Sequence, residues 1–275
     1  LTIAAGTLGG TVTIDGSNNL VYTSAHDVTS PYEPVSETFT YTIKDADGDT
    51  TTATFTVQLT DAGPSITPAA ASIAADEDDL SSAGNAGGTG DLAAESLTGL
   101  LAGLNFGPDG PGNIVLSTSA DIGFNTLAGN AIRTVWDGTT HTLTGEDSVT
   151  GDDVFTLTIT DVATGAYAFD LLAPVQHTAA GTEDDKTFNV TATVTDKEGE
   201  SATGTISVLI DDDTPVAVDD GQLASVDDNA SGVVIGTTAQ LLGDDSYGAD
   251  GAAASGALTI AAGTLGGTVT IDGSN

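Results

Sequence analysis

Residues 1–18 read LTIAAGTLGGTVTIDGSN, and residues 258–275 read the same, letter for letter. Eighteen identities at an offset of 257 do not arise by chance, so the segment is one period, and a little more, of a near-identical tandem array. A weaker similarity runs at an offset of 151. Thr42–Asp49 aligns with Thr193–Glu200, Thr54–Val57 with Thr205–Val208, and Asp61-Ala62-Gly63-Pro64 with Asp212-Asp213-Thr214-Pro215. Two domains therefore end alike, in strand, acidic turn, strand, acidic linker and proline. The expected map is a complete domain at 64–213, the C-terminal part of a second at 1–63, and the N-terminal part of its next copy at 214–275. The second domain then has 107 residues, cut in two by the ends of the segment. Its parts need strands from neighbouring repeats of the same polypeptide, or from adjacent copies, to cover their sheet edges.

Alternation with a period of two predicts half-buried antiparallel strands. It is clear at Phe39/Tyr41/Ile43, Phe55/Val57/Leu59, Phe155/Leu157/Ile159, Val190/Ala192/Val194 and Ile206/Val208/Ile210. Asp15-Gly16, Asp47-Gly48, Asp137-Gly138 and Glu198-Gly199 mark tight turns, where Gly accepts a positive φ. The fold class is all-β, a tandem array of Ig-like or cadherin-like sandwiches set end to end. One short helix is expected within the Ala-rich stretch 92–104.

Forty acidic residues face four basic ones, a net charge of −36. Clustered cations are what nucleic acids and anionic membranes require, so neither is expected as a partner. No cysteine is present, which removes disulfides, thiolate metal sites and Cys nucleophiles together. No run of 18 apolar residues spans a bilayer. No basic leader precedes Leu1, so export is expected to use a signal outside the segment. Charged residues make up only 16% and apolar ones 39%, which favours a folded core over disorder.

The acids are crowded at turns and at the matching domain ends. Asp45, Asp47 and Asp49 alternate around Gly48, and Asp196, Glu198 and Glu200 repeat the arrangement around Gly199. Asp61 closes the first part, Asp211, Asp212 and Asp213 close the complete domain, and Asp219 and Asp220 follow. Asp76 and Glu77, Asp244 and Asp245, and Asp250 complete the candidate ligands. Two carboxylates about 4 Å apart repel by roughly 1 kcal/mol even in bulk water. Four cations cannot neutralise so many pairs, whereas Ca2+ takes six to eight oxygen ligands in flexible sites. Gly87–Asp91 faintly matches a calcium-binding nonapeptide. His26, His141 and His177 are scattered, lack an HExxH spacing, and read as surface or packing residues. Trp136, before Asp137-Gly138, reads as strand-end packing. No Gly-x-Ser-x-Gly elbow is present, and acids this common make no pair diagnostic of a glycosidase, so no enzyme is expected.

Residues 214–275 followed by 1–63 resemble a bacterial cadherin-like (VCBS-type) domain, on Thr214–Asp220, Leu241–Asp245, Thr11–Gly16, Glu37–Tyr41 and Asp45–Asp49. Residues 64–213 resemble the 143-residue repeat domain of type I secretion substrates, on Val154–Ile159, Gly165–His177 and Gly204–Pro215. Asp61-Ala62-Gly63 departs from the pattern in being poorer in acid than the usual linker. The resemblance implies a calcium-rigidified extender of an RTX-type adhesin on the bacterial surface, projecting distal ligand-binding domains. The competing expectation is a glycan- or peptide-binding module at 64–213.

Overall fold

The computed structural model describes residues 1–25, 28, 34–80, 92, 95–178 and 183–271. His26 and Gly87–Asp91 fall outside them. The chain forms two compact units, one of Leu1–Thr67 with Gly103–Ile114 and Thr193–Thr203, the other of Pro68–Ala102, Val115–Ala192 and Gly204–Asn275.

In the first unit, β1 (Thr2–Ile3), β4 (Val35–Lys44) and β5 (Thr50–Leu59) form a three-stranded sheet, and β2 (Thr11–Ile14) pairs with β3 (Leu20–Thr23). The β4–β5 hairpin holds register over ten pairs, from Val35↔Leu59 to Lys44↔Thr50. Its apolar face is led by Phe39, which is fully buried, stacks on Phe55 at 5.2 Å and meets the edge of Tyr22 at 5.9 Å.

A five-stranded antiparallel sheet in the second unit runs in the order β7 (Thr98–Leu100), β12 (Ala166–Leu171), β11 (Asp153–Asp161), β10 (Thr142–Asp147) and β9 (Ile132–Asp137). A four-stranded sheet runs β6 (Ala69–Asp76), β14 (Ser201–Asp211), β13 (Lys186–Asp196) and β8 (Pro111–Ser117). The alternating residues Phe155, Leu157 and Ile159 are buried, as are Val190, Ala192 and Val194, and Ile206, Val208 and Ile210. Phe155 of one sheet meets Phe188 of the other at 5.0 Å, so the inner faces close on each other as a sandwich. Each fully covered Val, Leu, Ile or Phe contributes about 1.5–3 kcal/mol. β6 pairs parallel to β14, with Asp76 opposite Asp211, so two strands far apart in sequence deliver their acidic ends to one place.

The expected turns all join strands, but the positive φ is carried differently. Gly48 and Gly199 take it at φ 111° and 100°, whereas Asn18 and His141 take it in the turns that contain Gly16 and Gly138. The expected helix within 92–104 is corrected: Thr98–Leu100 is strand β7, paired with Ala166–Ala168. Alanine raises helix propensity locally, but an open sheet edge at β12 outweighs it. Among the described residues the α-helix is the single turn α1 (Thr238–Leu241), closed by a capping box between Thr237 and Gln240.

Candidate metal centres

The acidic end of the sandwich is assembled by β6 and β14. β6 ends at Asp76 and runs into a 3-10 turn, Glu77–Leu80, while β14 ends at Asp211 and continues through Asp212 and Asp213. Asp76, Glu77, Glu183, Asp211, Asp212 and Asp213 are all buried, Glu77 completely. Among the described residues, the one cationic candidate placed amid the buried acids is His177. Its Nε2 lies 3.3 Å from Glu77 Oε1, and its Nδ1 lies 4.0 Å from Asp212 Oδ2 and against the Asp184 carbonyl oxygen. The backbone N–H of Val175 donates to Glu77 Oε1 at 2.8 Å. Lys186 is spent on Asp184, at 2.7 Å. Thr214 Oγ1 donates to Glu183 Oε1 at 3.0 Å, and Ala249 N–H to Asp213 Oδ2 at 2.6 Å, which brings the loop carrying Asp250 to the cluster.

Three carboxylate oxygens here, Glu77 Oε2, Asp211 Oδ1 and Asp213 Oδ1, are shut off from solvent without a hydrogen-bond donor. Burial pushes Glu77 up to about 7, with the His177 hydrogen bond opposing. Burial, and then the charges of Asp185 and Asp76, push Asp211 up to about 6. Asp250, though its side chain stays largely open to solvent, rises to about 6 through partial desolvation and then the charge of Asp212. Burial also raises Asp212, against the pull of His177. For His177 burial works downward, but the hydrogen bond and charge of Glu77, with Asp212, raise it overall. Acids that resist ionising because they are buried, with other acids close by, have too little counter-charge around them.

A second group belongs to the first unit. Ligand atoms of Asp61, Asp109 and Glu198 lie within 4.8 Å of one another. Asp196 Oδ1 accepts from the N–H groups of Glu198, Gly199 and Glu200 at 3.0, 2.8 and 3.0 Å, which folds the turn and aims it. Asp61 Oδ1 accepts from Ala62 N–H at 2.7 Å. The other oxygens of both residues, Asp61 Oδ2 and Asp196 Oδ2, are buried without a donor. Glu200 packs over Gly63, where a Cβ would sit 2.6 Å from its Oε2. The acid that the linker at Asp61-Ala62-Gly63 lacks is thus supplied by Asp109 and Glu198.

Asp45, Asp47 and Asp49 form a third group, but all three are exposed. Asp45 Oδ1 accepts from Gly48 and Asp49 N–H at 2.9 and 2.8 Å, the same turn-closing role that Asp196 plays. Asp219, Asp220 and Asp244 are exposed, Asp245 Oδ1 accepts from Val218 N–H at 2.7 Å, and among the described residues none of the four joins a group of three ligand atoms. Sequence reasoning missed Asp109, Glu183, Asp184, Asp185 and His177. Only Glu183-Asp184-Asp185, an acidic run just before β13, left a signal; His177 read as packing and is instead enclosed by carboxylates. Trp136 sits at the end of β9 against His141, at 6.3 Å, as expected.

Buried oxygens without donors, in a set that is almost all carboxylate, suit a hard divalent ion, and the buried cluster at the sandwich end and the half-buried one at Asp61, Asp109 and Glu198 are consistent with Ca2+. Residues 1–58 match a family described as bacterial Ig domain, and residues 72–209 match one described as domain of unknown function (DUF5801). Similar solved structures are protocadherin ectodomains. The mouse clustered PcdhgC3 EC1-3 structure is 14% identical with a TM-score of 0.24, and the match covers 77% of this chain and 55% of that one. The protocadherin gammaB7 EC3-6 cis-dimer is 11% identical with a TM-score of 0.27, covering 78% and 42%. The chain thus spans about half the length of these protocadherins, and scores this low leave the fold resting on the strands described above. No curated protein matches the chain.

Proposed function

As the chain belongs to the DUF5801 family through residues 72–209 and matches a bacterial Ig domain at 1–58, we propose that it is an extender. It is a non-catalytic spacer of an RTX-type bacterial surface adhesin, exported by type I secretion, that projects distal ligand-binding domains for cell adhesion or biofilm formation. Its domains are 64–213 and a repeating 107-residue Ig-type domain made of 214–257 followed by 1–63. Calcium at the junctions stiffens the array. Asp76, Glu77, Asp211, Asp212, Asp213 and Asp250 with Glu183 hold it at one end of the sandwich, and Asp61, Asp109, Asp196, Glu198 and Glu200 hold it where β13 turns into β14. The ion supplies the positive charge that the four basic residues cannot.

The observation that carries this reading is the set of five buried carboxylate oxygens without donors: Asp61 Oδ2, Glu77 Oε2, Asp196 Oδ2, Asp211 Oδ1 and Asp213 Oδ1. Ionising a buried carboxylate that has an oxygen without a donor is costly unless a cation meets it, so five such oxygens favour a cation there. Near-identity between copies suits a spacer, whose task is length. The net charge of −36 keeps neighbouring copies apart and soluble.

Thermal melting and small-angle scattering in Ca2+ and then in EDTA test the proposal. One ion at a hundred times its Kd adds about 2.7 kcal/mol to stability. A sizeable rise in Tm and a longer, stiffer particle in Ca2+ are expected. Replacing Asp211 and Asp212 by Ala should loosen the joint after residue 213 without unfolding the sandwich. A Tm and scattering profile indifferent to millimolar Ca2+ ends the proposal.

A further inference from the structure

Amid its excess of acid, the acidic end of the sandwich holds one nitrogen ligand. Asp76 and Asp211 close the parallel pairing of β6 and β14, so Glu77 and Asp212, the next residue on each strand, leave the sheet end side by side. The connection between β12 and β13 brings His177 to them. Val175 N–H donates to Glu77 Oε1 at 2.8 Å, which fixes the carboxylate, and His177 follows two residues later with Nε2 3.3 Å from the same oxygen. The place is dry. The side chains of Glu77, His177 and Asp212 are 0%, 3% and 9% exposed. One ligand atom from each lies within 4.8 Å of the other two, and all three residues belong to the second unit.

The hydrogen bond at the other edge of the ring decides its chemistry. Nδ1 lies against the Asp184 carbonyl oxygen, which only accepts, so Nδ1 carries a hydrogen. Nε2 then faces Glu77 Oε1, an acceptor, and something positive has to stand between them. A proton there answers that one contact. It leaves Glu77 Oε2 buried without a donor, and one imidazolium against two carboxylates leaves a negative charge over. A divalent ion held by a neutral imidazole and two carboxylates leaves none. A backbone carbonyl that takes the Nδ1 hydrogen and so aims Nε2 is also the usual support of a metal-binding histidine. The spacing agrees. Ligand atoms about 2.0–2.2 Å from a tetrahedral zinc ion stand about 3.3–3.6 Å apart, and Nε2 and Oε1 stand 3.3 Å apart.

We propose that His177, Glu77 and Asp212 form a mixed nitrogen and oxygen site for a borderline divalent ion of the Zn2+ or Co2+ kind, bound through His177 Nε2. Asp212, whose Oδ2 lies 4.0 Å from Nδ1, turns in as the third ligand. Imidazole is a ligand for such ions, whereas Ca2+ takes oxygen ligands. The ion ties together the 3-10 turn after β6, the connection between β12 and β13 and the chain leaving β14, a staple in a segment that has no cysteine. The proposal rests on reading the sandwich end as a metal centre and shares Glu77 and Asp212 with the calcium placed there, but it does not depend on calcium. Asp76, Asp211 and Asp213 remain for that ion; His177, which the calcium reading leaves unused, is what sets this site apart.

The chain has three histidines, so 15N NMR of the full chain reads each imidazole without any substitution. At about pH 8, where metal ligands give up their protons, Zn2+ is added in the presence of millimolar Ca2+. The expected result is a shift of the Nε2 resonance of a single histidine, whose Nδ1 keeps its hydrogen. Co2+, whose visible absorption strengthens when it is four-coordinate, should give a saturable band under the same conditions. His177→Gln should weaken Co2+ binding at least about a hundredfold and abolish the band. His141→Asn, in a turn outside the site and at a positive φ that Asn tolerates, should leave both unchanged. Zn2+ that leaves all three imidazoles unmoved, a Co2+ affinity in His177→Gln equal to the parent's, or an imidazole shift that millimolar Ca2+ erases would overturn the inference. Indifference of the melting curve to Ca2+ would end the calcium reading of the extender and leave this one standing.

Discussion

Raising the pH in the absence of divalent ions should destabilise the sandwich from its acidic end. Glu77 is fully covered and held at about 7 against an ordinary 4.5, and Asp211, also buried, at about 6 against an ordinary 3.8. Both folded-state values lie above the unfolded ones, so between about pH 4 and pH 7 the folded state binds more protons and stability falls as pH rises. At roughly 1.4 kcal/mol per tenfold change in acidity, each residue costs about 3 kcal/mol once ionised. His177 acts in the same sense. Its raised value is stability present in acid and lost as pH rises past the folded value. The two carboxyls together are on the order of 6 kcal/mol, or about 12–24 °C in Tm for a unit of this size. Calorimetry or circular dichroism in EDTA should therefore give a higher Tm at pH 5 than at pH 8. Millimolar Ca2+ should reverse the order, because it is the ionised carboxylates that hold the ion. Diffuse repulsion across a chain of charge −36 also grows with pH, so a variant must separate the two effects. Glu77→Gln leaves the surface charge almost untouched. It should remove about half the pH dependence in EDTA, raise Tm there at pH 8, and blunt the response to Ca2+. A Tm in EDTA that is flat or rises from pH 5 to pH 8, or a Glu77→Gln variant with the parent's slope, would refute the reasoning.

The Asp211→Ala, Asp212→Ala pair should lose most of the Tm gain from Ca2+ while melting no lower than the parent in EDTA at pH 8; equal losses in both conditions would make these residues structural props. Glu37→Ala strips the donors of Leu8, Gly10 and Tyr22 of their buried acceptor and should cost about 3 kcal/mol, read in urea unfolding of the first unit. Asp147, held down to about 2 by the Asn130 amide and then by the N–H groups of Val149 and Thr150, contributes stability that is lost only as pH falls from about 4 through about 2. Asp147→Ala should lower Tm equally in Ca2+ and EDTA at pH 7, and a loss confined to Ca2+ would count against its purely structural role.

Strand and turn were legible because they are written in short windows. The alternation at Phe155/Leu157/Ile159 or Ile206/Val208/Ile210 fixes which face is buried whatever the partner, and Asp196 closes its turn with hydrogen bonds to residues two to four positions away. The carboxylate clusters were legible only in part, because they are built by pairings that local sequence does not specify. Asp76 meets Asp211 through a parallel pairing across more than 130 residues. Glu77 meets His177 across 100. Asp109 reaches Asp61 and Glu198 from a loop with no acidic pattern of its own. Density of acid in the sequence was therefore a poor guide to which carboxylates are buried together: Asp219, Asp220 and Asp244 lie in acidic runs as Asp211 does and stand exposed. The repeated residues make the same point within one molecule. An identical sequence gives the same glycine turn at 6–10 and at 263–267, yet strands form only where β4 and β3 are at hand. Secondary structure in this chain is thus a property of pairs of segments.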